Sequence, residues 1–216
     1  MQIHFDLYSL LLGITLLFGL VRLKKLTGPF RLLVLLIGYV LVAELSGRAL
    51  MSMGFENTFS LYHLSAIVLI TLTSIIYLKL LGRDSPLRRF SIILSIVCGL
   101  MAILNSLFHQ HLHTFPSFSI AAHAFQSIIF ALLMFSEMIK TPATTPLLKQ
   151  AVFWFNCGTF LYYSSNFVGF VLYNAYYQFK DVIVTMMMYL NWTGNIVIYS
   201  CYLIAIYLNQ KRSDEQ

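Results

Sequence analysis

The stretch FSLYHLSAIVLITLTSIIYL, residues 59–78, decides the fold: twenty consecutive residues without an Asp, Glu, Lys or Arg. About 20 mostly apolar residues are what a helix needs to cross the hydrocarbon of a bilayer. Lipid offers no partner to a backbone N–H or C=O, so the segment must satisfy its own hydrogen bonds, which makes it a helix rather than a strand. Lys79 and the turn signal GRDSP, residues 82–86, close it.

Working outward, the same reading recurs along the chain. Apolar segments predict helices over roughly 5–23, 30–51, 59–81, 87–108, 117–139, 147–172 and 183–208. Between them lie breakers: Gly28-Pro29, Gly54, Gly82 to Pro86, Pro116, and Pro142 with Pro146. The composition agrees, with 59% apolar and 10% charged residues, where soluble domains run near a quarter charged. Seven crossings with short connections consume nearly all 216 residues. The expected architecture is therefore an all-α membrane protein, a single bundle of seven transmembrane helices over 1–216 with no soluble domain.

Sidedness follows from the basic residues. The loops after the first, third and fifth segments and the C-terminal tail carry Arg22, Lys24, Lys25, Arg31, Lys79, Arg83, Arg88, Arg89, Lys140, Lys149, Lys211 and Arg212, which is 12 of the 14 Lys and Arg. Lys180 alone lies in the opposite loops, and Arg48 lies within the second segment. The positive-inside rule then puts the N-terminus outside and the C-terminus in the cytoplasm. This placement also accounts for the net charge of +6 without nucleic acid. The first segment lacks the basic n-region and small-residue cleavage site of a signal peptide and reads as a retained helix. Tyr173, Tyr176, Tyr177 and Phe179 fit an outer interfacial belt. Cys98, Cys157 and Cys201 all fall in apolar segments, where cysteine acts as a small hydrophobe.

Charges at membrane depth point to function or to structural pairing. Glu44 and Arg48 are four residues apart, so they share a helix face and can pair. A ligand-binding or proton-accepting carboxylate held by its guanidinium is one reading; a structural pair with Arg48 snorkelling outward is the other. All six histidines fall on the outer side in this topology. His109, His111 and His113 share one loop and are candidates for a divalent metal, although zinc sites demand several fixed ligands and a supporting shell. Protonation of such histidines is a further option.

Helical spacing places His123, Gln126, Phe130, Met134 and Glu137 on one face of the fifth segment, and Asn191, Asn195, Tyr199 and Tyr202 on one face of the seventh. The sixth carries Asn156, Tyr162, Tyr163 and Asn166. Such stripes either bond helices together or line a cavity. The second reading gives a polar pocket in the outer half built from Glu44, Arg48, His63, His123, Gln126, Asn166 and Asn195. No HExxH, GxSxG or Walker motif occurs, no lysine in the last segment offers a Schiff base, and the sequon Asn191-Trp192-Thr193 lies within a helix.

The segment quoted above, with its Tyr62-His63 pair, and FWFNCGTFLYYSSNFVGFVLY, residues 153–173, resemble uncharacterised bacterial seven-helix proteins of similar length that are often encoded beside sensor histidine kinases. The resemblance spans the chain and implies an inner-membrane sensing or accessory role. The leading expectation is thus a non-enzymatic module that binds a small molecule, lipid or ion in the outer half and acts through a membrane partner such as a sensor kinase, since the tail 209–216 is too short to signal by itself. A small-solute transporter or channel of 3+1+3 helix arrangement is the alternative. A membrane-embedded, metal-dependent lipid hydrolase using the histidines with Glu44 is the third.

Overall fold

The computed structural model describes residues 2–82, 85–140, 145–177 and 181–209, and these are organised entirely by helices. Seven α-helices follow in order: α1 (Gln2–Arg22), α2 (Gly28–Ser52), α3 (Phe59–Leu80), α4 (Pro86–Leu104), α5 (Ser117–Lys140), α6 (Ala151–Tyr177) and α7 (Asp181–Leu208). Short 3₁₀ turns occupy Leu23–Lys25 and Leu147–Lys149, and a π turn, Asn105–His109, extends α4. Proline sets several starts. Pro29 and Pro86 sit in the first turns of α2 and α4, where the missing N–H would have lacked an intrahelical partner anyway, and Pro116 immediately precedes α5.

Five helical stretches are long and apolar enough to cross a membrane: Leu7–Lys25, Gly28–Ser52, Phe59–Leu80, Pro86–His109 and Ser117–Lys140. The protein is an integral membrane protein. α6 and α7 are the longest of the seven helices, and α6 buries Asn156, Thr159 and Asn166.

α6 departs from its expected limits at both ends. Pro146 opens a 3₁₀ turn rather than the helix, which begins at Ala151 and continues to Tyr177. Tyr173 therefore belongs to the helix itself rather than to a loop, while Phe179 and Lys180 lie outside the described residues, as do Arg83, Lys211 and Arg212.

Packing forms a ring. α1 lies against α2 and α7, α2 against α3, α3 against α5, α5 against α6, and α6 against α7. α4 sits outside this ring, touching α3 and α5. It buries only Ser91, Cys98 and Ala102 and exposes Ile93, Ile96, Leu100 and Met101, the pattern of a lipid-facing helix.

The two ends of the ring differ. One, here termed the basic end, carries Arg22, Lys25, Lys79, Arg88, Lys140 and Lys149. Its interior is filled by rings: Tyr77 packs between Phe130 (5.1 Å) and Phe155 (5.2 Å), Phe155 stacks on Tyr202 (5.4 Å, 23°), and Phe30 meets Phe155 edge-on at 6.3 Å. Polar groups here are matched to one another. Tyr77 donates to Asn156 Oδ1 (2.9 Å), Asn156 Nδ2 donates to the Ala131 carbonyl (2.8 Å), and Thr159 meets the Tyr202 hydroxyl at 3.1 Å. The Arg22 guanidinium closes this end, donating to the Tyr207 carbonyl at 2.7 Å and lying 5.4 Å from the Phe18 ring centre.

Candidate functional site

Toward the opposite end the ring holds charge. Glu44 lies eight residues before the end of α2 at Ser52, about 12 Å along the axis. Its carboxylate is half-buried and accepts a hydrogen bond from the Tyr8 hydroxyl of α1 at 3.3 Å, beyond the usual range for a hydroxyl donor. Arg48, one turn further out and exposed, donates to Ser9 Oγ at 2.7 Å while remaining within electrostatic reach of Glu44. The i,i+4 spacing thus brings the two charges to one face and within electrostatic reach of each other, and each also meets a hydroxyl of α1.

Besides Tyr8, three further phenols, Tyr62 (α3), Tyr162 (α6) and Tyr199 (α7), lie within electrostatic reach of Glu44. Tyr199 is buried, and its side chain leans toward the N-terminal end of α7 as helical geometry requires. Tyr162 donates to Asn191 Oδ1 at 2.8 Å. Tyr199 also lies 6.5 Å from Tyr202, ring to ring, so the floor of the site rests directly on the aromatic packing of the basic half. Sequence spacing finds Tyr162 and Tyr199 on polar stripes, but Tyr8 and Tyr62 sit near helix ends, where an interfacial belt gives the same signal.

The remaining expected pocket residues disperse. His63 is buried toward α4 and the α4–α5 loop, with Nδ1 2.7 Å from Ser106 Oγ and Nε2 3.1 Å from the Thr114 carbonyl. A carbonyl only accepts, so Nε2 carries a proton. His123 and Gln126 lie in the α3–α5 seam, bonded to Thr73 (3.1 Å) and Ser74 (2.5 Å), with the His123 ring edge-on to Tyr163 at 4.9 Å. Gln126 Oε1 and Ser127 Oγ in that seam are buried without a hydrogen-bond partner. Asn166 donates to the Tyr162 carbonyl of its own helix at 2.9 Å and faces Gly194 of α7. Asn195 is half-buried on α7.

His109, His111 and His113 are all exposed. The His109 ring leans on Phe118 at 5.2 Å. Among the described residues no three His, Cys, Asp or Glu side chains converge to hold a metal ion. The histidine loop does not assemble the metal set its spacing suggests, because the π turn and the turn that follows it give the three side chains no common focus.

What the loop does supply is a cover. Phe115 packs on Tyr173 (4.0 Å), Tyr62 (5.8 Å) and Phe59 (6.0 Å). Asn174 of α6 donates to the Phe115 carbonyl at 2.9 Å, while His63 holds the preceding residue. Behind it, Asn105 Nδ2 donates to Gln110 Oε1 and Ser119 Oγ, each at 2.8 Å, and Gln110 Nε2 donates to Ser117 Oγ at 3.0 Å. Buried networks satisfied in this way are rigid.

These features define a class, an all-helical integral membrane protein with a charged, phenol-lined site away from its basic end. No family model, no curated protein and no solved structure matches the chain.

Proposed function

We propose that the chain is a seven-span sensing or accessory module of a bacterial inner membrane, N-terminus outside and C-terminus in the cytoplasm, which binds a small ligand at Glu44 in the outer half and acts through a membrane partner such as a sensor kinase. The orientation rests on the Lys and Arg distribution, and the basic end is then cytoplasmic. The partner is inferred from the resemblance and from the compact connections between helices, which hold no separate output domain among the described residues.

One observation carries the reading. Glu44 is a carboxylate at membrane depth, half-buried, with one 3.3 Å hydrogen bond from Tyr8 among the described residues and Arg48 within electrostatic reach, whereas the basic half is closed by stacked rings and matched polar groups. An intramembrane charge is costly, and in a functional site the ligand offsets that cost. A ligand entering from outside meets an aromatic floor, which favours sensing over passage.

The test is co-purification. Glu44→Gln and Arg48→Ala are prepared in lipid nanodiscs, folding is checked by circular dichroism, and bound small molecules and partner proteins are identified by mass spectrometry. Loss of a bound species in the folded variants supports the assignment; identical ligands and partners in wild type and both variants overturn it.

The ring also favours a second reading. α1–α3 and α5–α7 form two triads joined directly through α3 and α5, with α4 outside, an arrangement that 3+1+3 transporters would share. Solute flux into proteoliposomes dependent on Glu44 would support it over sensing.

A further inference from the structure

We infer that the turn joining α1 to α2 is a binding site for an anionic phospholipid. Arg22, Lys24, Lys25 and Arg31 take its headgroup phosphate, and its acyl chain lies along α1. The inference concerns the basic end and stands apart from the Glu44 site.

The cations come first. Arg22 ends α1, Lys24 and Lys25 occupy the 3₁₀ turn, and Arg31 lies at the start of α2. No Asp or Glu occurs between Asp6 and Glu44. Both guanidiniums are held in place by uncharged groups. Arg22 donates to the Tyr207 carbonyl at 2.7 Å and lies 5.4 and 5.6 Å from the centres of the Phe18 and Tyr207 rings. Arg31 Nε donates to the Leu26 carbonyl at 2.9 Å, and a second guanidinium nitrogen donates to the Lys24 carbonyl at 3.3 Å. These contacts fix the positions of two charges without neutralising them. Lys24, Lys25 and Arg31 are exposed. A guanidinium has more N–H donors than these bonds use, and its planar fork suits a phosphate.

An apolar surface leads to this cluster. α1 buries Tyr8, Leu12 and Thr15 on one face and exposes Leu10, Ile14, Leu17 and Val21 at helical spacing on another. Lys24 follows at the next step of that spacing and closes the stripe. From Ile14 to Lys24 the chain rises about 15 Å, half of the roughly 30 Å hydrocarbon of a bilayer. Stripe and cation therefore match the depth of one lipid chain and its headgroup. The two parts together select a class of molecule. The stripe alone would accept any lipid. A zwitterionic headgroup brings its own cation, which the four basic residues repel, whereas a phosphodiester with an uncharged head leaves its negative charge to them. A free anion would meet the cations but gain nothing from the stripe.

The experiment places the full chain in nanodiscs of equimolar phosphatidylglycerol and phosphatidylcholine with matched acyl chains, and counts the lipids that stay bound in native mass spectrometry. The wild type is expected to keep phosphatidylglycerol in preference to phosphatidylcholine. Lys24→Gln with Lys25→Gln should lower that retention by about tenfold or more, the scale of two lysines at a charged membrane surface. Lys24→Arg with Lys25→Arg keeps the charge and should retain the lipid as the wild type does. Lys140→Gln with Lys149→Gln removes the same charge at the α5–α6 connection, which holds no arginine, and should change retention by less than about twofold. Retention of both lipids alike, or a loss in the arginine variant, would overturn the site. An equal loss in the two glutamine variants would overturn it as well, by showing that only the total charge matters. Release of the bound lipid by glycerol 3-phosphate would overturn the lipid assignment in favour of a free anion.

Discussion

The basic half of the ring and the half opposite use the same residue types to different ends. In the basic half, Tyr77 and Tyr202 end on Asn156 and Thr159, and their rings are clamped against Phe130 and Phe155. In the opposite half, Tyr8 reaches a carboxylate at 3.3 Å, Tyr62 is exposed, and Arg48 bonds a serine within electrostatic reach of that carboxylate. A tyrosine whose hydroxyl is matched to a neutral amide is a building element. A carboxylate set among tyrosines is a different arrangement, a charge in place of a neutral partner. The difference teaches that polar content alone does not mark a candidate membrane site; the presence of charge within it does.

The comparison breaks most directly at Phe155. Phe155→Ala removes the ring on which Tyr77, Tyr202 and Phe30 converge, and large-to-small core changes of this kind cost about 3–5 kcal/mol. Denaturant unfolding in detergent, followed by far-ultraviolet circular dichroism, should show that loss. A smaller loss than that of Glu44→Gln would mean that the halves have been assigned the wrong roles. Next in size is Asn156→Ala, which strands the Tyr77 hydroxyl and the Ala131 carbonyl. About 1–2 kcal/mol is expected, between the soluble and membrane ranges for such bonds. Combining it with Tyr77→Phe should cost less than the sum of the two, because one bond is then removed twice.

What was legible in the sequence was local. Pro29, Pro86 and Pro116 mark helix starts through the fixed geometry of their own rings, and the uncharged run at 59–78 announces a span by length. Locality misleads at α6: the apolar run after the breaker Pro146 predicts a helix from about 147, but the chain makes a 3₁₀ turn first. Glu44 was legible because a charge in an apolar segment is rare. Its phenolic neighbours were only half legible, since they come from α1, α3, α6 and α7, and no spacing within a helix reports which helices meet. The grouping of His63, His123 and Gln126 with Glu44 failed for the same reason. Helical periodicity gives the face each occupies, but the ring order turns those faces toward α4 and the α3–α5 seam instead.

Gly194 joins the two halves and sharpens the contrast. A Cβ there would lie 2.8 Å from Asn166 Nδ2 and 2.9 Å from Tyr162 Cδ2. Gly194→Ala must therefore displace the ring that forms the site floor. The stability cost should be about 1 kcal/mol, the low end for overpacking, since Tyr162 is itself only half-buried. Recovery of a co-purified small molecule, measured by mass spectrometry, should fall further than in Gly158→Ala. The latter meets Cys201 Cβ at 2.6 Å within the α6–α7 contact rather than at the phenols. Equal losses in the two variants would mean that the floor plays no part in binding.

The smallest expected change in stability is the most discriminating. Tyr8→Phe keeps the buried ring and removes the hydroxyl that reaches Glu44. If the bond is structural, like that of Tyr77, its loss at membrane depth should cost at least 1 kcal/mol. If the carboxylate is instead held ready for a ligand, the hydroxyl contributes less than that of Tyr77, and the thermal unfolding midpoint should fall by less than in Tyr77→Phe. Recovery of a co-purified small molecule, read by mass spectrometry, should then hold in Tyr8→Phe and fall in Glu44→Gln. A protein that loses stability and its co-purified small molecule together on Tyr8→Phe would place Glu44 with the basic half, as a structural group, and the distinction between the two ends of the ring would vanish.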